Sequence, residues 1–192
     1  PARRAYQIAT EYRQRGVKVV MGGVHPTLMP EEAAQFADAV VVGDAEGVWG
    51  ELLDDARSGV LKARYESRFP SLEGLKVDRS IFAGKRYIKV PLVQFGRGCR
   101  FACDFCSIKS FYGNNVRHRP VSEVAAEIAA LGRKQVFFTD DNLFNDVETG
   151  KQLCRALTPL GVRWGCQCCP GVAAAAGVMS LMRDAGCMWA AV

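Results

Sequence analysis

The sequence predicts an α/β protein built on parallel sheets. Short runs of β-branched and other apolar residues alternate with segments whose apolar residues recur at helical spacing. The connections between them are short and contain many glycines, which is typical of parallel strands joined by helices that cover the sheet faces. The composition, 49% hydrophobic and 23% charged, is that of an ordinary globular chain. It excludes a disordered or collagen-like protein.

The first elements of this pattern lie near the start of the chain. Residues 3–14 are helical in composition, and residues 17–21 run extended into the pair Gly22 and Gly23. Pro30 opens the next helix, because a proline followed by two acids suits the unpaired amides and the positive dipole of a first helical turn.

A second strand is predicted at residues 39–42 from its run of valines, and a helix follows from Trp49 to Gly59. Two strands alone cannot bury both faces of a sheet, so we expect the beginning of this domain to lie outside the sequence. Residues 61–90 have isolated apolar residues among charges and glycines, and they predict a linker along the surface.

Regular alternation returns after residue 90. Strands are predicted at residues 92–95, 136–139 and 162–164, each followed by a helical segment. Ser122 is the expected N-cap of the first of these helices, and Gly186 ends the last. This order fits either an α/β barrel or an open parallel sheet.

Charge and cysteine content narrow the function. The net charge of +5 is spread along the chain, so we expect no nucleic-acid partner. No apolar run reaches the ~20 residues of a membrane span, and no secretory leader opens the sequence. All eight cysteines follow residue 98. Together these features predict a cytoplasmic, reducing compartment and a metal or redox role for the thiols rather than disulfides.

Three cysteines form the motif that carries chemistry. Cys99, Cys103 and Cys106 are spaced Cys-x3-Cys-x2-Cys in a glycine-rich loop directly after a predicted strand. Three thiolates favour iron–sulfur or zinc. A structural zinc site usually takes four ligands. An iron–sulfur cube held by three cysteines would leave one iron open to a small molecule.

This motif, with Phe105 just before the third cysteine, resembles the signature of the radical S-adenosylmethionine (SAM) enzymes. The flanking residues 94–107 resemble the branch of that family in which a cobalamin-binding domain precedes the barrel. The resemblance implies that Cys99, Cys103 and Cys106 hold a [4Fe-4S] cluster, that SAM chelates its fourth iron, and that Phe105 packs on the adenine side.

The resemblance also implies a domain organisation. Residues 1–60 correspond to the C-terminal part of a Rossmann-like cobalamin-binding domain, residues 61–90 to a linker, and residues 91–192 to about four of the six βα units of a (β/α)6 partial TIM barrel. We therefore expect the sequence to be part of a longer protein. Gly22, Gly23 and His25 are the candidate cobalamin contacts, although a cobalt-ligating Asp-x-His-x-x-Gly segment is absent.

Further candidates follow the next two strands. The resemblance places SAM-binding residues at the strand end occupied by Asp140, Asp141 and Asn142, with an Asp capping the next helix as the alternative. It places Gln167 at the mouth of the site. Two further groups of residues receive no firm role. The first is Cys166, Cys168 and Cys169, which are spaced too tightly for all three to bind one metal. The second is Arg117, His118 and Arg119: the two arginines either contact the SAM carboxylate or the substrate, or they lie in a solvated loop.

The implied activity is reductive cleavage of SAM to a 5′-deoxyadenosyl radical, followed by cobalamin-dependent methyl transfer to an unactivated carbon of a small-molecule or lipid-like substrate. An external electron donor of the flavodoxin or ferredoxin type is implied. The alternatives are a radical SAM cyclase, oxidase or methylthiotransferase and, in a different class, a non-catalytic iron–sulfur electron-transfer or metal-binding module.

Overall fold

A computed structural model describes residues 2–87 and 90–192 of the chain. Ile88 and Lys89, which fall within the predicted linker, lie outside the described residues. The chain divides into two compact units. The first contains the residues up to Pro70 together with residues 105–111, and the second contains residues 71–104 and 112–192.

The first unit contains a three-stranded parallel sheet. Its elements in chain order are α1 (Ala2–Gln14), β1 (Val20–Met21), α2 (Val24–Leu28), α3 (Pro30–Ala34), β2 (Ala39–Gly43), α4 (Trp49–Ser58) and β3 (Arg64–Ser67). The strand order is β1-β2-β3, and both strand pairs are parallel. The predicted parallel α/β architecture is confirmed for this unit.

Strand β2 is buried on both faces, which explains its continuous apolar sequence. Val40 and Val42 belong to one apolar cluster with Tyr6 of α1. Val41 belongs to a second cluster with Leu52 of α4. The alternation of side chains along the strand therefore places a helix against each face.

Strand β3 corrects the prediction of an irregular segment at residues 61–90 and of only two strands in this part of the chain. Tyr65 and Ser67 are buried, whereas Arg64 and Glu66 are exposed and form an ion pair at 2.6 Å. Polar side chains on the exposed face of an edge strand are expected, because they discourage pairing with other chains. The same side chains gave the segment the composition of a linker.

The second unit contains a four-stranded parallel sheet. The elements after residue 90 are β4 (Leu92–Val93), β5 (Gly96–Arg97), α5 (Ser107–Tyr112), β6 (Arg117–His118), α6 (Val121–Leu131), β7 (Gln135–Phe138), α7 (Val147–Leu157), β8 (Arg163–Gln167), α8 (Val178–Asp184) and β9 (Cys187–Ala191). Of these, residues 107–111 of α5 belong to the first unit. The sheet order is β4-β7-β8-β9, and β5 pairs with β6 in a separate antiparallel ribbon. Parallel strands that neighbour each other in chain order agree with the predicted βα repeat.

One large core supports this sheet. Phe138 and Trp164 pack edge to face with ring centroids 5.7 Å apart, and Leu153 of α7 is fully buried in the same cluster. Cys154 is buried in the same cluster. Ser122 is not the N-cap of α6: the helix begins at Val121, because the chain enters it from an extended Pro120 at the cap position. Among the described helices, none has both the length and the apolar character needed to cross a membrane.

Candidate metal centre

The cysteine motif lies in the loop between β5 and α5. All three thiols are free; Cys99 and Cys106 are half-buried and Cys103 is exposed. The Phe105 ring is 93% exposed. Leaving a whole aromatic ring in water forfeits about 2 kcal/mol of burial free energy, which contact with a ligand would recover.

Glycine is required immediately before the first cysteine. Gly98 has φ +89°, and a Cβ there would lie 2.2 Å from the backbone oxygen of Asn115. Two residues earlier, a Cβ on Gly96 would lie 2.8 Å from the Arg117 oxygen. The backbone of the motif loop thus packs directly on the segment that leads into β6, which a side chain at either position would prevent.

Asp140, at the end of β7, fastens the beginning of the loop. Its carboxylate accepts hydrogen bonds from the backbone N–H groups of Phe95, at 3.0 Å, and of Gly96. The side chain is buried, and burial raises the pKa of Asp140 to about 7 against the lowering effect of these two donors. Both oxygens are engaged by the loop, so the observed contacts of Asp140 are structural.

Asp141 and Asn142 reach further along the loop. The Asp141 carboxylate accepts from Gly98 N at 3.2 Å. Asn142 is buried, and its Oδ1 accepts from the backbone N–H groups of Phe144 and Cys169, each at 3.3 Å. Its Nδ2 lies 4.0 Å from Cys99 Sγ. Asp141 is exposed at this strand end.

Asn145 is a site residue that the sequence analysis missed. Its buried side chain donates to Gly98 O at 2.7 Å and accepts from Arg100 N at 3.0 Å, so it holds the backbone on both sides of Cys99. It also accepts from Asn142 Nδ2 at 3.2 Å. The available signal was only a second asparagine three residues after the first.

The alternative in which an Asp of the 140–142 run caps the next helix is wrong. Asp146, rather than a member of the Asp140–Asn142 run, is the N-cap of α7, and its side chain accepts from Thr149 N at 2.7 Å. This leaves the run free to contact the motif loop.

Gln167 lies at the carboxyl end of β8 with an exposed side chain. Its backbone oxygen accepts from Leu143 N at 2.9 Å, which ties the end of β8 to the segment after β7. The neighbouring Cys166 is buried and forms thiol hydrogen bonds with Cys168 and Cys187, and the first of these lowers the pKa of Cys168. Cys169 is half-buried.

Arg119, next to β6, differs from both sequence alternatives. Arg119 is buried, and its guanidinium donates to Glu127 Oε2 at 2.6 Å and to Gln94 O at 3.0 Å. It is therefore an internal ion-pair residue rather than part of a solvated loop. His118 packs its ring on Phe95 with centroids 4.9 Å apart, and burial lowers its pKa.

The candidate cobalamin contacts lie in the first unit. Gly22 and Gly23 follow β1, and a Cβ on Gly23, at φ +95°, would meet open space. His25 Nε2 is 2.9 Å from the hydroxyl of Tyr6 and 3.4 Å from Glu32 Oε1. That nitrogen is already engaged by protein groups.

A family model described as the radical SAM superfamily matches residues 93–192. The match covers more than half of the chain. The chain belongs to the radical SAM superfamily. The resemblance carried by Cys99, Cys103, Phe105 and Cys106 is thereby confirmed at the level of the family.

Relatives of this radical SAM protein include two methyltransferases of Chlorobaculum tepidum. Bacteriochlorophyllide d C-8(2)-methyltransferase is 44% identical over 124 residues, which is 60% of this chain and 28% of that protein. Bacteriochlorophyllide d C-12(1)-methyltransferase is 32% identical over 175 residues, 85% of this chain and 38% of that protein. This radical SAM chain therefore spans well under half the length of these relatives.

Two solved structures of the radical SAM methyltransferase TsrM from Kitasatospora setae have the same fold. One, with tryptophan and a SAM analogue bound, superposes with a TM-score of 0.77 at 18% identity, over 97% of this chain and 43% of that one. The other, with cobalamin and a [4Fe-4S] cluster bound, superposes with a TM-score of 0.71.

The donor set of this radical SAM protein fits an iron–sulfur cluster. Three free cysteines lie within eight residues of a loop whose backbone is fixed at Gly96, Gly98 and Arg100. Within residues 2–87 and 90–192, no three His, Cys, Asp or Glu side chains are gathered closely enough to hold one metal. Because thiolates bind as they lose their protons, cluster binding would draw the three sulfurs together.

Proposed function

We propose that this protein binds a [4Fe-4S] cluster through Cys99, Cys103 and Cys106 and uses it to cleave SAM reductively. The observation that carries the proposal is the three-cysteine loop, fixed at its base by Asp140 and required to have glycine before Cys99. Three soft ligands from one loop suit an iron–sulfur cube with one open iron.

The chain's own residues bind and orient. When bound and reduced, the cluster supplies the electron that cleaves SAM to methionine and a 5′-deoxyadenosyl radical. Phe105, whose ring is exposed, offers an apolar face for the adenine. Asp141 and Gln167 lie exposed at the carboxyl ends of neighbouring strands, where parallel α/β folds place their ligands. They are our candidates for polar contacts with SAM.

The two units correspond, in this proposal, to a cobalamin-binding domain and a partial barrel. We assign residues 1–60 and strand β3 (Arg64–Ser67) to the C-terminal part of the former, the rest of residues 61–90 to the connection, and residues 91–192 to the first βα units of a (β/α)6 barrel. Support comes from the parallel strand orders and from the superposition on TsrM over 97% of the chain. Gly23 leaves open space where a side chain would stand, whereas a Cβ on Gly22 would contact Val41 and His25 is held by Tyr6.

The reaction that we propose for the whole protein is cobalamin-dependent methyl transfer to an unactivated carbon of a small-molecule or lipid-like substrate, with electrons from a flavodoxin- or ferredoxin-type donor. The two Chlorobaculum tepidum relatives are both methyltransferases, which supports this reaction class. TsrM binds a SAM analogue in one structure and cobalamin with a [4Fe-4S] cluster in the other, which supports the same pairing of cofactors.

Anaerobic reconstitution tests the proposal. The protein is loaded with iron and sulfide, and its paramagnetic resonance spectrum is recorded with and without SAM. We expect SAM to change the spectrum, and we expect 5′-deoxyadenosine to accumulate under dithionite. A loaded cluster with an unchanged spectrum and no nucleoside product would instead support the electron-transfer module.

Cobalamin binding is tested separately on the same protein. Hydroxocobalamin is added, unbound ligand is removed by gel filtration, and the corrin absorbance that elutes with the protein is measured. We expect retention of the corrin. With SAM cleavage present and corrin absent from the protein fraction, the cyclase, oxidase or methylthiotransferase alternatives would replace methyl transfer.

A further inference from the structure

The side chain of Asn142 has one permitted orientation. Its Oδ1 accepts from two backbone N–H groups, those of Phe144 and Cys169. Turning the amide over would direct its N–H groups at these donors, so the oxygen must face them. The nitrogen is therefore fixed on the opposite side.

Both N–H groups of that nitrogen have defined directions. One donates to Asn145 Oδ1 at 3.2 Å, and the other faces Cys99 Sγ at 4.0 Å. Asn145 is itself locked, because its own nitrogen donates to Gly98 O and its oxygen accepts from Arg100 N. The two buried amides thus form one network around the first cysteine of the motif.

A donor aimed at a ligating sulfur affects the metal. A hydrogen bond to a cluster thiolate withdraws electron density from it, and the reduced, more negative cluster gains more from the bond than the oxidised one. The effect is strong where the donor is buried, since water does not screen it. Asn142 is 3% exposed.

We propose that Asn142 is a positioning residue for Cys99, and that its side-chain N–H, donated to Cys99 Sγ, raises the reduction potential of the cluster. The inference rests on the proposed cluster, and it replaces the predicted role of Asn142 as a SAM contact. Asn145 acts through Asn142 and through the loop backbone.

The test compares midpoint potentials. Asn142→Asp keeps an oxygen for the backbone donors and replaces the N–H donor by an acceptor, while Asn142→Ser removes the amide without adding charge. Gln152→Glu is the matched control, an amide-to-acid change on the exposed face of α7. Each protein is reconstituted, its cluster content is measured, and its potential is determined by redox titration followed by paramagnetic resonance.

We expect Asn142→Asp to lower the potential by at least about 59 mV, a tenfold change for a one-electron couple. Asn142→Ser should shift it in the same direction by less, and it decides the question if the Asp variant does not fold. Gln152→Glu should match the wild type. Affinity for SAM, measured on the oxidised cluster, should stay within twofold in Asn142→Ser.

Other outcomes overturn the inference in distinguishable ways. Unchanged potentials in both Asn142 variants, with a wild type that loads a cluster and cleaves SAM, would refute the inference and leave the proposed function intact. Weakened SAM binding at constant potential would return Asn142 to the role of a SAM ligand. A wild type that loads no cluster would refute both.

Discussion

The cysteine loop and the segment after β7 differ sharply in how they are held. In the loop, the side chains of Cys103 and Phe105 are exposed. In the segment after β7, Asp140, Asn142 and Asn145 are buried, and their polar atoms are bonded to protein groups. The loop therefore carries side chains that are available to a cofactor, and the segment after β7 holds the loop backbone in place.

This difference indicates that cofactor binding and stability depend on different parts of the candidate site. Buried polar networks are stabilising only when every member is satisfied, and the segment after β7 meets that condition at the cost of its availability to ligands. The exposed thiol of Cys103 and the exposed ring of Phe105 have few protein contacts to lose when a cofactor binds. Changes in the loop should therefore alter cofactor binding, and changes in the segment should alter stability.

The largest effect is expected in the loop. Replacing Cys99, Cys103 or Cys106 by serine should abolish the retention of iron and sulfide after reconstitution, because two thiolates from the loop cannot hold the cube. Iron and sulfide analysis after desalting measures this. Cys187→Ser, outside the motif, should retain both. A triple-motif variant that kept its full iron content would place the cluster elsewhere.

Asn145→Ala should produce the largest loss of stability among the segment variants. The variant removes the hydrogen-bond partner of Gly98 O, of Arg100 N and of one N–H of Asn142. We expect the free energy of unfolding to fall by about 3 kcal/mol, because these polar groups lose that partner. Urea denaturation of the cluster-free protein measures the loss. Asp146→Ala, which removes only an exposed helix cap, should cost about 1 kcal/mol. Equal losses would mean that Asn145 contributes no more than a cap.

Much of the fold could be predicted because its strands are short buried runs. The predicted strands at residues 39–42 and 136–139 are apolar enough to be recognised without a structure, and they overlap strands β2 and β7. Strand Arg64–Ser67 could not, since only Tyr65 and Ser67 face the interior and its other residues are charged. A solvent-facing edge strand and a surface linker have the same composition.

The candidate ligands of the site could be predicted from the sequence, but the buried residues that hold the cysteine loop in place could not. Cysteine spacing and Phe105 are local signals, and so is the position of Asp140 at a strand end. The bond from Asn145 to Gly98 joins residues 47 positions apart. Such a contact depends on the closing of the parallel sheet, and nothing in the sequence near Asn145 indicates it.

The protonation of Asp140 makes the stability of the segment after β7 depend on pH. Because its pKa is raised to about 7 in the folded protein, the folded state holds a proton that the unfolded state releases near pH 4. Its contribution to the free energy of unfolding is therefore complete below pH 4 and declines as pH rises to 7. Asp140→Asn should cost about 2 kcal/mol at pH 5, since one of the two backbone donors loses its acceptor.

The difference in the free energy of unfolding between the wild type and Asp140→Asn should become smaller from pH 5 to pH 8. The contribution of Asp140 declines over this range, whereas asparagine does not titrate. Urea denaturation at the two pH values gives both numbers. Asp141→Asn, at an exposed position, is the control and should be less destabilising at each pH. A difference that stayed constant between the two pH values would show that Asp140 is already ionised at pH 5 in the folded protein.

Phe105→Ala should have the smallest effect on stability. It tests whether the cysteine loop, unlike the segment after β7, contributes to cofactor binding and not to folding. With its ring 93% exposed, Phe105 has little contact free energy to lose, and the cluster-free variant should unfold within about 0.5 kcal/mol of the wild type. Phe138→Ala, in the core, should lose about 4 kcal/mol in the same assay. After reconstitution, Phe105→Ala should bind SAM about tenfold more weakly, since the adenine would lose an aromatic face worth roughly 1.4 kcal/mol. A destabilised cluster-free variant with unchanged SAM affinity would mean that the loop, like the segment after β7, is organised for folding.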